Sequence, residues 1–177
     1  MRVTLVRHAE TEENFLGKIQ GRSNPLLNET GRRQVLRLKM KLSSSNYDYC
    51  YTSPLIRCFE TAIVLVGDRV EIIPDSRIIE RDMGELEGRP KEEYNAFTFW
   101  NYDKNRSDYG IEPIQDLFQR CEEFLKEIKE KDPDGSVLIV THYGPYRALR
   151  HLLQGHELKG NLLDGKIENC SSEVFEY

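Results

Sequence analysis

The sequence predicts an α/β protein, a three-layer α/β/α sandwich built around a mostly parallel central sheet. Two short, largely apolar runs, Val3–Val6 and Val137–Val140, have the hydrophobicity of strands that are buried on both faces. Strand-like and helix-like segments alternate between them, which is the pattern of a parallel sheet covered by helices. At 177 residues the chain is long enough for a single domain, residues 1–177, with a substantial core.

The elements of the first half follow from local signals. Residues 9–30 contain glycine, asparagine and proline in a combination that is typical of a loop. Asn28 is placed to cap a helix over 31–43, and a short strand is expected at 47–52. Ser53-Pro54 then predicts a cap followed by a first-turn proline, which would open a helix that reaches about residue 66.

The second half continues the same alternation. Apolar residues from Ile114 to Ile128 recur at helical spacing, and Asp132-Pro133-Asp134-Gly135 turns the chain into the strand at 137–140. The other expected elements are a strand at 70–73, a helix from about 145 and a closing strand over 172–177. Strands and helices therefore alternate along most of the chain.

One segment, at about 89–112, differs in composition and predicts a small helical insertion. Aromatic residues are concentrated in it, with charged residues between them: Tyr94, Phe97, Phe99, Trp100, Tyr102 and Tyr109. Two interpretations stay open and are compatible with each other. The insertion packs on the main domain, or it forms the wall of a pocket that recognises the organic part of a ligand.

The composition argues against several classes of partner. A net charge of −5 and a pI of about 5.5 do not suit a surface for nucleic acid or anionic membranes, which needs clustered lysine and arginine. No apolar run approaches the roughly 18 residues of a membrane span, and the first residues do not resemble a signal segment. The four cysteines form no CxxC pair, and we expect them to be buried free thiols of a cytoplasmic protein.

Both apolar runs end in a histidine. Arg7-His8 follows the first run, and Thr141-His142 follows the second. Because ligands of open α/β sheets bind at the carboxyl ends of the strands, the two histidines are expected to meet in one pocket. Arg7 and Arg57 offer planar forks of donors that match phosphate oxygens. The sequence therefore predicts a local anion site and phosphate chemistry.

The positions of the other two histidines argue against a metal site. Zinc needs three or four ligands, but His151 and His156 lie within or beyond the helix that follows His142, and we predict that both are surface residues. We therefore expect neither a metal nor another cofactor. Without a metal, an imidazole can be the nucleophile and form a phosphohistidine, while a carboxyl group supplies a proton and then activates water.

Five blocks of distinctive residues occur in order along the chain. They are Arg7-His8-Ala9-Glu10-Thr11 with Asn14, Thr52-Ser53-Pro54-Leu55-x-Arg57, Glu80-Arg81-Asp82-Met83-Gly84-Glu85-Leu86-Glu87-Gly88, Thr141-His142-Tyr143-Gly144 and Asn169-Cys170-Ser171. In this order they resemble the histidine phosphatase (phosphoglycerate mutase-like) superfamily, whose first block is the RHG motif. The resemblance runs from Arg2 to Tyr177 and implies the phosphoglycerate mutase-like fold.

The resemblance implies a role for each of nine positions. His8 would be the phosphorylated nucleophile. Glu80 would be the proton donor, with Asp82, Glu85 and Glu87 as alternatives for the reacting carboxyl. The phosphoryl oxygens would be held by Arg7, Arg57, His142, the Asn14 side chain and the Tyr143 backbone amide. The entrance would be lined by Gln20 and Gly21. Ala9 departs from the family's usual glycine, and its methyl group is expected to narrow the pocket floor.

Two reactions can follow a phosphohistidine, and the sequence favours hydrolysis. A mutase needs extra cations, yet Met83 replaces the mutases' tyrosine and the insertion shows no adjacent pair of arginines. We therefore predict a metal-independent phosphatase for small phosphomonoesters. The alternatives are a cofactor-dependent phosphoglycerate mutase, a ribazole-phosphate-type phosphatase or a catalytically silent anion-binding module. The expected partners are a small phosphorylated substrate, with inorganic phosphate as the product, and a homodimer stays open.

Overall fold

The computed structural model describes residues 1–177 and contains one five-stranded sheet. The strands are β1 (Arg2–Arg7), β2 (Tyr49–Thr52), β3 (Ile72–Pro74), β4 (Ser136–Thr141) and β5 (Ser172–Glu176). Their order across the sheet is β3-β2-β4-β1-β5. Neighbouring strands are parallel except for β5, which runs antiparallel to β1. The predicted mostly parallel sheet is confirmed.

Helices cover both faces of the sheet. They are α1 (Glu12–Phe15), α2 (Glu29–Lys41), α3 (Ile56–Val66), α4 (Ala96–Phe99), α5 (Ile114–Lys131) and α6 (Tyr143–Leu153). The apolar sides of α5 and α6 share one buried cluster with the sheet, and those of α2 and α3 share another. None of the helices is both long and apolar enough to cross a membrane.

Strand β4 shows why its apolar run, Val137–Val140, is unbroken. Val137 and Ile139 pack into the cluster on the α5 and α6 side, whereas Leu138 and Val140 pack into the cluster on the α2 and α3 side. Successive strand residues point to opposite faces, so a strand between two helical layers needs apolar side chains at every position. The arrangement confirms the predicted three-layer α/β/α sandwich.

The start of α3 differs from the prediction. The helix begins at Ile56, and Leu55 rather than Ser53 is its N-terminal flanking residue. The Ser53 hydroxyl instead accepts a hydrogen bond from the Leu55 amide and lies 2.6 Å from Nε2 of His142. Ser53 thus contacts His142, which is distant in the chain, and α3 does not begin at the Ser-Pro pair as the local pattern predicted.

The single-turn helix α1 lies inside the segment that was predicted to be a loop. Thr11 and Asn14 form a capping box, in which each side chain accepts a hydrogen bond from the other's backbone amide. The signal was present in the sequence as Thr11-x-x-Asn14. It was missed because the helix is only four residues long and buries no residue of its own.

The insertion contains α4 and short 3-10 turns. Phe99 packs with Ile19, Met83, Leu86 and Ile111 in a small apolar cluster that is separate from the two main ones. Trp100 is buried against the main domain, whereas Phe97 and Tyr109 are exposed. The aromatic residues of the insertion therefore divide between packing and the surface, and some of them reach the cavity described below.

The two histidines outside the predicted site differ in exposure. His151 was predicted to lie at the surface, but it is only 6% exposed because the chain after α6 covers it, and its Nε2 lies 3.1 Å from the Leu162 carbonyl. That prediction was wrong, whereas His156 is exposed as expected.

All four cysteines are free; Cys50, Cys58 and Cys121 are buried, and Cys170 is half-buried. Burial raises the pKa of the Cys50 thiol to about 12.

Candidate active site

The two strand-end histidines meet at one edge of the sheet. Strands β1 and β4 are adjacent and parallel, with Arg7 paired to Thr141, so His8 and His142 leave the sheet side by side. Their ring centroids are 5.2 Å apart. This convergence is what the sequence pattern predicted for the carboxyl ends of parallel strands.

A cavity of about 590 Å³ opens at this edge. Eight of the nine predicted site residues line it: Arg7, His8, Asn14, Gln20, Gly21, Arg57, Glu80 and Tyr143. The ninth, His142, is fully buried and lies behind the cavity wall. Tyr94 and Trp100 of the insertion also line the cavity, so the aromatic segment contributes to the pocket as well as to packing.

The His8 ring is held in one tautomer. Its Nδ1 lies 2.7 Å from the carbonyl oxygen of Ala9, and because a carbonyl only accepts, Nδ1 must carry the hydrogen. The lone pair is therefore on Nε2. Burial lowers the pKa of His8 well below its ordinary value, and the charges of Arg57 and Arg7 lower that pKa further. His8 is a neutral imidazole with an unprotonated Nε2.

Ala9 does not disturb the pocket floor. It is fully buried in the apolar cluster on the α2 and α3 side and is not among the residues that line the cavity. Its φ is not positive, so a methyl group causes no backbone strain there. The expected narrowing of the pocket was wrong because the side chain packs inward, while the Ala9 amide donates to Thr61.

Arg57 is fixed by three separate acceptors. Its Nε donates to Nδ1 of His142 at 3.1 Å, and its two terminal nitrogens donate to the carbonyl oxygens of Ser23 (2.6 Å) and Gly21 (2.9 Å). Three bonds in different directions leave the guanidinium one orientation. Burial lowers the pKa of Arg57, an indication that its charge lies in a poorly solvated place.

His142 helps to orient Arg57 and does not line the cavity. Since Nδ1 accepts from Arg57, Nε2 carries the hydrogen and donates to the Ser53 hydroxyl at 2.6 Å. Burial lowers the pKa of His142 well below its ordinary value, which keeps this neutral tautomer. The expectation that His142 touches the phosphoryl oxygens is not met in this geometry, because both of its nitrogens are occupied.

Arg7 and Asn14 provide further hydrogen-bond donors at the cavity wall. Nη1 of Arg7 donates to the Ile167 carbonyl at 2.6 Å, and its guanidinium lies 5.2 Å from the centre of the Tyr143 ring. The Asn14 Oδ1 accepts from the amide and hydroxyl of Thr11 and from the Asn169 amide group. All of these bonds fall on Oδ1, so Nδ2 of Asn14 remains a donor at the cavity wall.

Glu80 is held by two backbone amides. Its Oε1 accepts from the Arg81 amide at 2.8 Å and from the Gly144 amide at 3.0 Å. Burial raises the pKa of Glu80, and since Oε1 already accepts twice, Oε2 is the oxygen that is left free to carry a proton. A Cβ at position 144 would lie 2.6 Å from Oε1, so this approach requires glycine.

The alternative carboxyl groups lie outside the cavity. Asp82 forms an ion pair with Arg22 at 3.2 Å, and Glu87 accepts from the Arg22 amide at 2.7 Å. Glu85 is exposed. Glu80 is therefore the carboxyl group of this block that faces the cavity with a raised pKa.

Arg81 was not among the predicted site residues. It is 2% exposed and lines the cavity, where its Nε and Nη1 donate to the carbonyl oxygens of Glu112 (2.7 Å) and Phe99 (2.9 Å). Its buried Nη2 has no acceptor. The Oε1 of Gln20, 8% exposed in the same cavity, has no donor. The sequence shows Arg81 as a charged residue directly after Glu80, but the burial of Arg81 could not be predicted from the sequence.

Comparison with known protein families identifies the family of the chain. A sequence model of the histidine phosphatase superfamily (branch 1) matches residues 3–177, and the chain belongs to that family. The predicted fold and the predicted class of enzyme, a phosphoric monoester hydrolase, are thereby confirmed.

Individual relatives are named as phosphatases. Phosphoserine phosphatase 1 of Hydrogenobacter thermophilus is 33% identical, over 89% of this chain and 78% of that protein. A metal-independent phosphoserine phosphatase of Arabidopsis thaliana is 30% identical, over 93% and 74%. The solved structure of an Entamoeba histolytica phosphoserine phosphatase in complex with 3-phosphoglyceric acid has a TM-score of 0.82 at 26% identity, covering 99% of this chain and 90% of that one.

Proposed function

We propose that the protein hydrolyses small phosphomonoesters through a covalent phosphohistidine on Nε2 of His8. The observation that carries this proposal is the hydrogen bond from Nδ1 of His8 to the Ala9 carbonyl, which leaves the lone pair on Nε2. An uncharged nucleophile at this position can attack phosphorus without removal of a proton by a separate base.

The reaction takes two steps, and Glu80 acts in both. In the first, Nε2 of His8 forms a bond to phosphorus while the ester P–O bond breaks, and the proton on Oε2 of Glu80 passes to the leaving oxygen. In the second, the Glu80 carboxylate takes a proton from water as the water oxygen attacks phosphorus. The P–N bond then breaks, and inorganic phosphate and neutral His8 are released.

Fixed donors stabilise the charge on the transferring group. Arg7, Arg57 and Nδ2 of Asn14 surround the position in front of His8, and their orientations are set by other contacts before a substrate binds. The Tyr143 amide is a further donor, because the first amides of a helix have no acceptor within it. His142 contributes by orienting Arg57 through Nδ1.

Two residues that line the cavity carry buried polar side-chain atoms without hydrogen-bond partners, and these atoms favour a substrate that also bears a carboxylate. Nη2 of Arg81 is a cationic donor without an acceptor, and Oε1 of Gln20 is an acceptor without a donor. A hydroxy- or amino-carboxylic acid phosphate would satisfy both, which accords with the phosphoserine and 3-phosphoglyceric acid named for the relatives. We therefore propose small phosphorylated carboxylic acids as the substrate class.

A screen of phosphomonoesters tests the substrate class. We expect Arg81→Met to lower kcat/KM by roughly 10–100-fold for phosphoserine and 3-phosphoglycerate, the size of a lost hydrogen bond to a charged group, and to affect para-nitrophenyl phosphate much less. The ratio between substrates is measured within one variant, so it does not depend on the folded fraction. Arg120→Met is the matched control, because Arg120 also contacts Glu112 but lies outside the cavity.

Two outcomes would contradict these proposals separately. An equal loss on aryl and carboxylate substrates in Arg81→Met would remove the carboxylate assignment and leave hydrolysis intact. Conversion of 3-phosphoglycerate to 2-phosphoglycerate without release of phosphate would instead identify a mutase.

Chelation tests whether the chemistry is independent of metals. No group of three or more His, Cys, Asp and Glu residues has the geometry to hold a metal ion. We expect kcat/KM for para-nitrophenyl phosphate to be unchanged after dialysis against EDTA, because Arg7, Arg57 and the amide donors supply the positive charge. Loss of activity that Zn²⁺ or Mg²⁺ restores would show that a metal takes part.

A further inference from the structure

Arg147 connects three parts of the cavity wall. It is fully buried on α6, one turn after Tyr143, and its Nη2 donates to the Tyr143 hydroxyl at 2.6 Å. Its guanidinium lies 4.9 Å from the centre of the Tyr143 ring and 5.2 Å from that of Trp100 in the insertion. It also binds the backbone and the carboxylate of Asp164. One side chain thus ties together α6, the insertion and the chain after α6.

Two paths lead from Arg147 to Arg7. The first passes through the Tyr143 ring. The guanidinium of Arg147 lies 4.9 Å from the centre of this ring, and that of Arg7 lies 5.2 Å from it. The second passes through the backbone, because Arg147 donates to the Gly165 carbonyl at 3.0 Å and Arg7 donates to the Ile167 carbonyl two residues later. The bond to Ile167 is the hydrogen bond that the structure gives the Arg7 side chain, and its Nε is buried without an acceptor. Arg7 therefore depends on these two supports for its orientation.

We propose that Arg147 is a positioning residue for the phosphoryl clamp and acts through Arg7. This inference rests on the proposed role of Arg7 in holding the transferring group. Arg147 does not line the cavity, so it cannot reach a substrate itself. A guanidinium is needed because its plane stacks on two rings while its edge donates to Tyr143, Asp164 and Gly165, a combination that lysine cannot reproduce.

Arg150 provides a matched control on the same helix. It also pairs with Asp164, at 2.7 Å, and further with Glu173, at 3.3 Å. It contacts neither aromatic ring and does not line the cavity. Arg150→Lys therefore perturbs the same anionic residue without touching the Tyr143 path to Arg7.

Steady-state kinetics with para-nitrophenyl phosphate test the proposal. We expect Arg147→Lys to lower kcat/KM by roughly 10–100-fold, the usual cost of a misplaced catalytic group, and to weaken inhibition by vanadate in parallel. Arg150→Lys should leave both values near those of the wild type. Tyr143→Phe removes only the hydroxyl contact and should show a smaller loss of the same kind, which keeps the test available if Arg147→Lys folds poorly. Unchanged vanadate inhibition in a folded Arg147→Lys protein would overturn the proposal.

A double-mutant cycle separates positioning from general stability. If Arg147 acts through Arg7, adding Arg147→Lys to an Arg7→Ala protein should change kcat/KM by less than about twofold. A full, additive loss in that background would overturn the inference and leave the role of Arg7 intact. If Arg7→Ala alone kept wild-type kcat/KM, the proposed clamp itself would be wrong.

Discussion

Replacing His8 with alanine should lower kcat/KM by on the order of 10⁴-fold or more, since the substitution removes the proposed nucleophile and leaves only the charge-stabilising groups. The neighbouring histidine cannot replace it, because His142 has both ring nitrogens engaged with Arg57 and Ser53. The measurement is steady-state release of phosphate, together with rapid-quench trapping of an acid-labile phosphoenzyme in the wild type.

The control for this experiment is His156→Ala. His156 is exposed and lies outside the cavity, so its replacement should not change turnover. A His8→Ala rate within tenfold of the wild type, or the absence of any trapped adduct, would exclude covalent catalysis by His8.

The second large effect is expected for Glu80→Gln, which should slow substrates with poor leaving groups by roughly 10²–10⁴-fold. Glutamine keeps a carbonyl oxygen to accept from the Arg81 and Gly144 amides, so the loop should hold its shape while the acidic proton is lost. Activated aryl phosphates should suffer less, because their leaving oxygens need little protonation. Kinetics on a matched pair of alkyl and aryl phosphates give the comparison, with Glu85→Gln as an exposed control from the same segment.

The pH dependence of kcat/KM also tests the assignment of Glu80 as the acid, because the direction in which activity changes with pH follows from the pKa shifts. The phosphorylation step needs neutral His8 and protonated Glu80. Because the pKa of His8 lies well below 6.5, activity should fall on the acid side only below the ordinary histidine range. Because burial raises the pKa of Glu80, activity should fall on the alkaline side above the ordinary 4.5. Glu80→Gln should abolish the alkaline fall; an unchanged profile, or an equal loss on both leaving groups, would exclude Glu80 as the acid.

Periodicity and local signals were enough to predict the sheet and the place of the site. The run Val137–Val140 is apolar at every position and the run Val3–Val6 at every position but Thr4, a pattern that is typical of strands between two helical layers. Parallel neighbours end at the same edge, so the convergence of His8 and His142 followed directly. The capping of α2 by Asn28 and the apolar stripe of α5 were local as well, and the structure has both.

Predictions failed where a side chain's partner lies far away in the chain. Ser53 was predicted to cap α3, but it binds His142. His151 was predicted to be exposed, but the chain after α6 covers it. Ala9 was expected in the pocket floor, but it packs into the core. In each case the local pattern was compatible with two environments, and packing of distant segments selected one of them.

The sequence by itself determined the main strands and helices of the sandwich, the faces they bury and the arrival of two histidines at one edge of the sheet, because these depend on spacing along the chain. The tertiary structure alone decided how those groups are oriented. The tautomer of His142 depends on Arg57, 85 residues away, and the unpartnered Nη2 of Arg81 depends on which carbonyl oxygens reach its other nitrogens. Hydrogen bonds are short and directional, so their partners are settled only when the whole chain is folded.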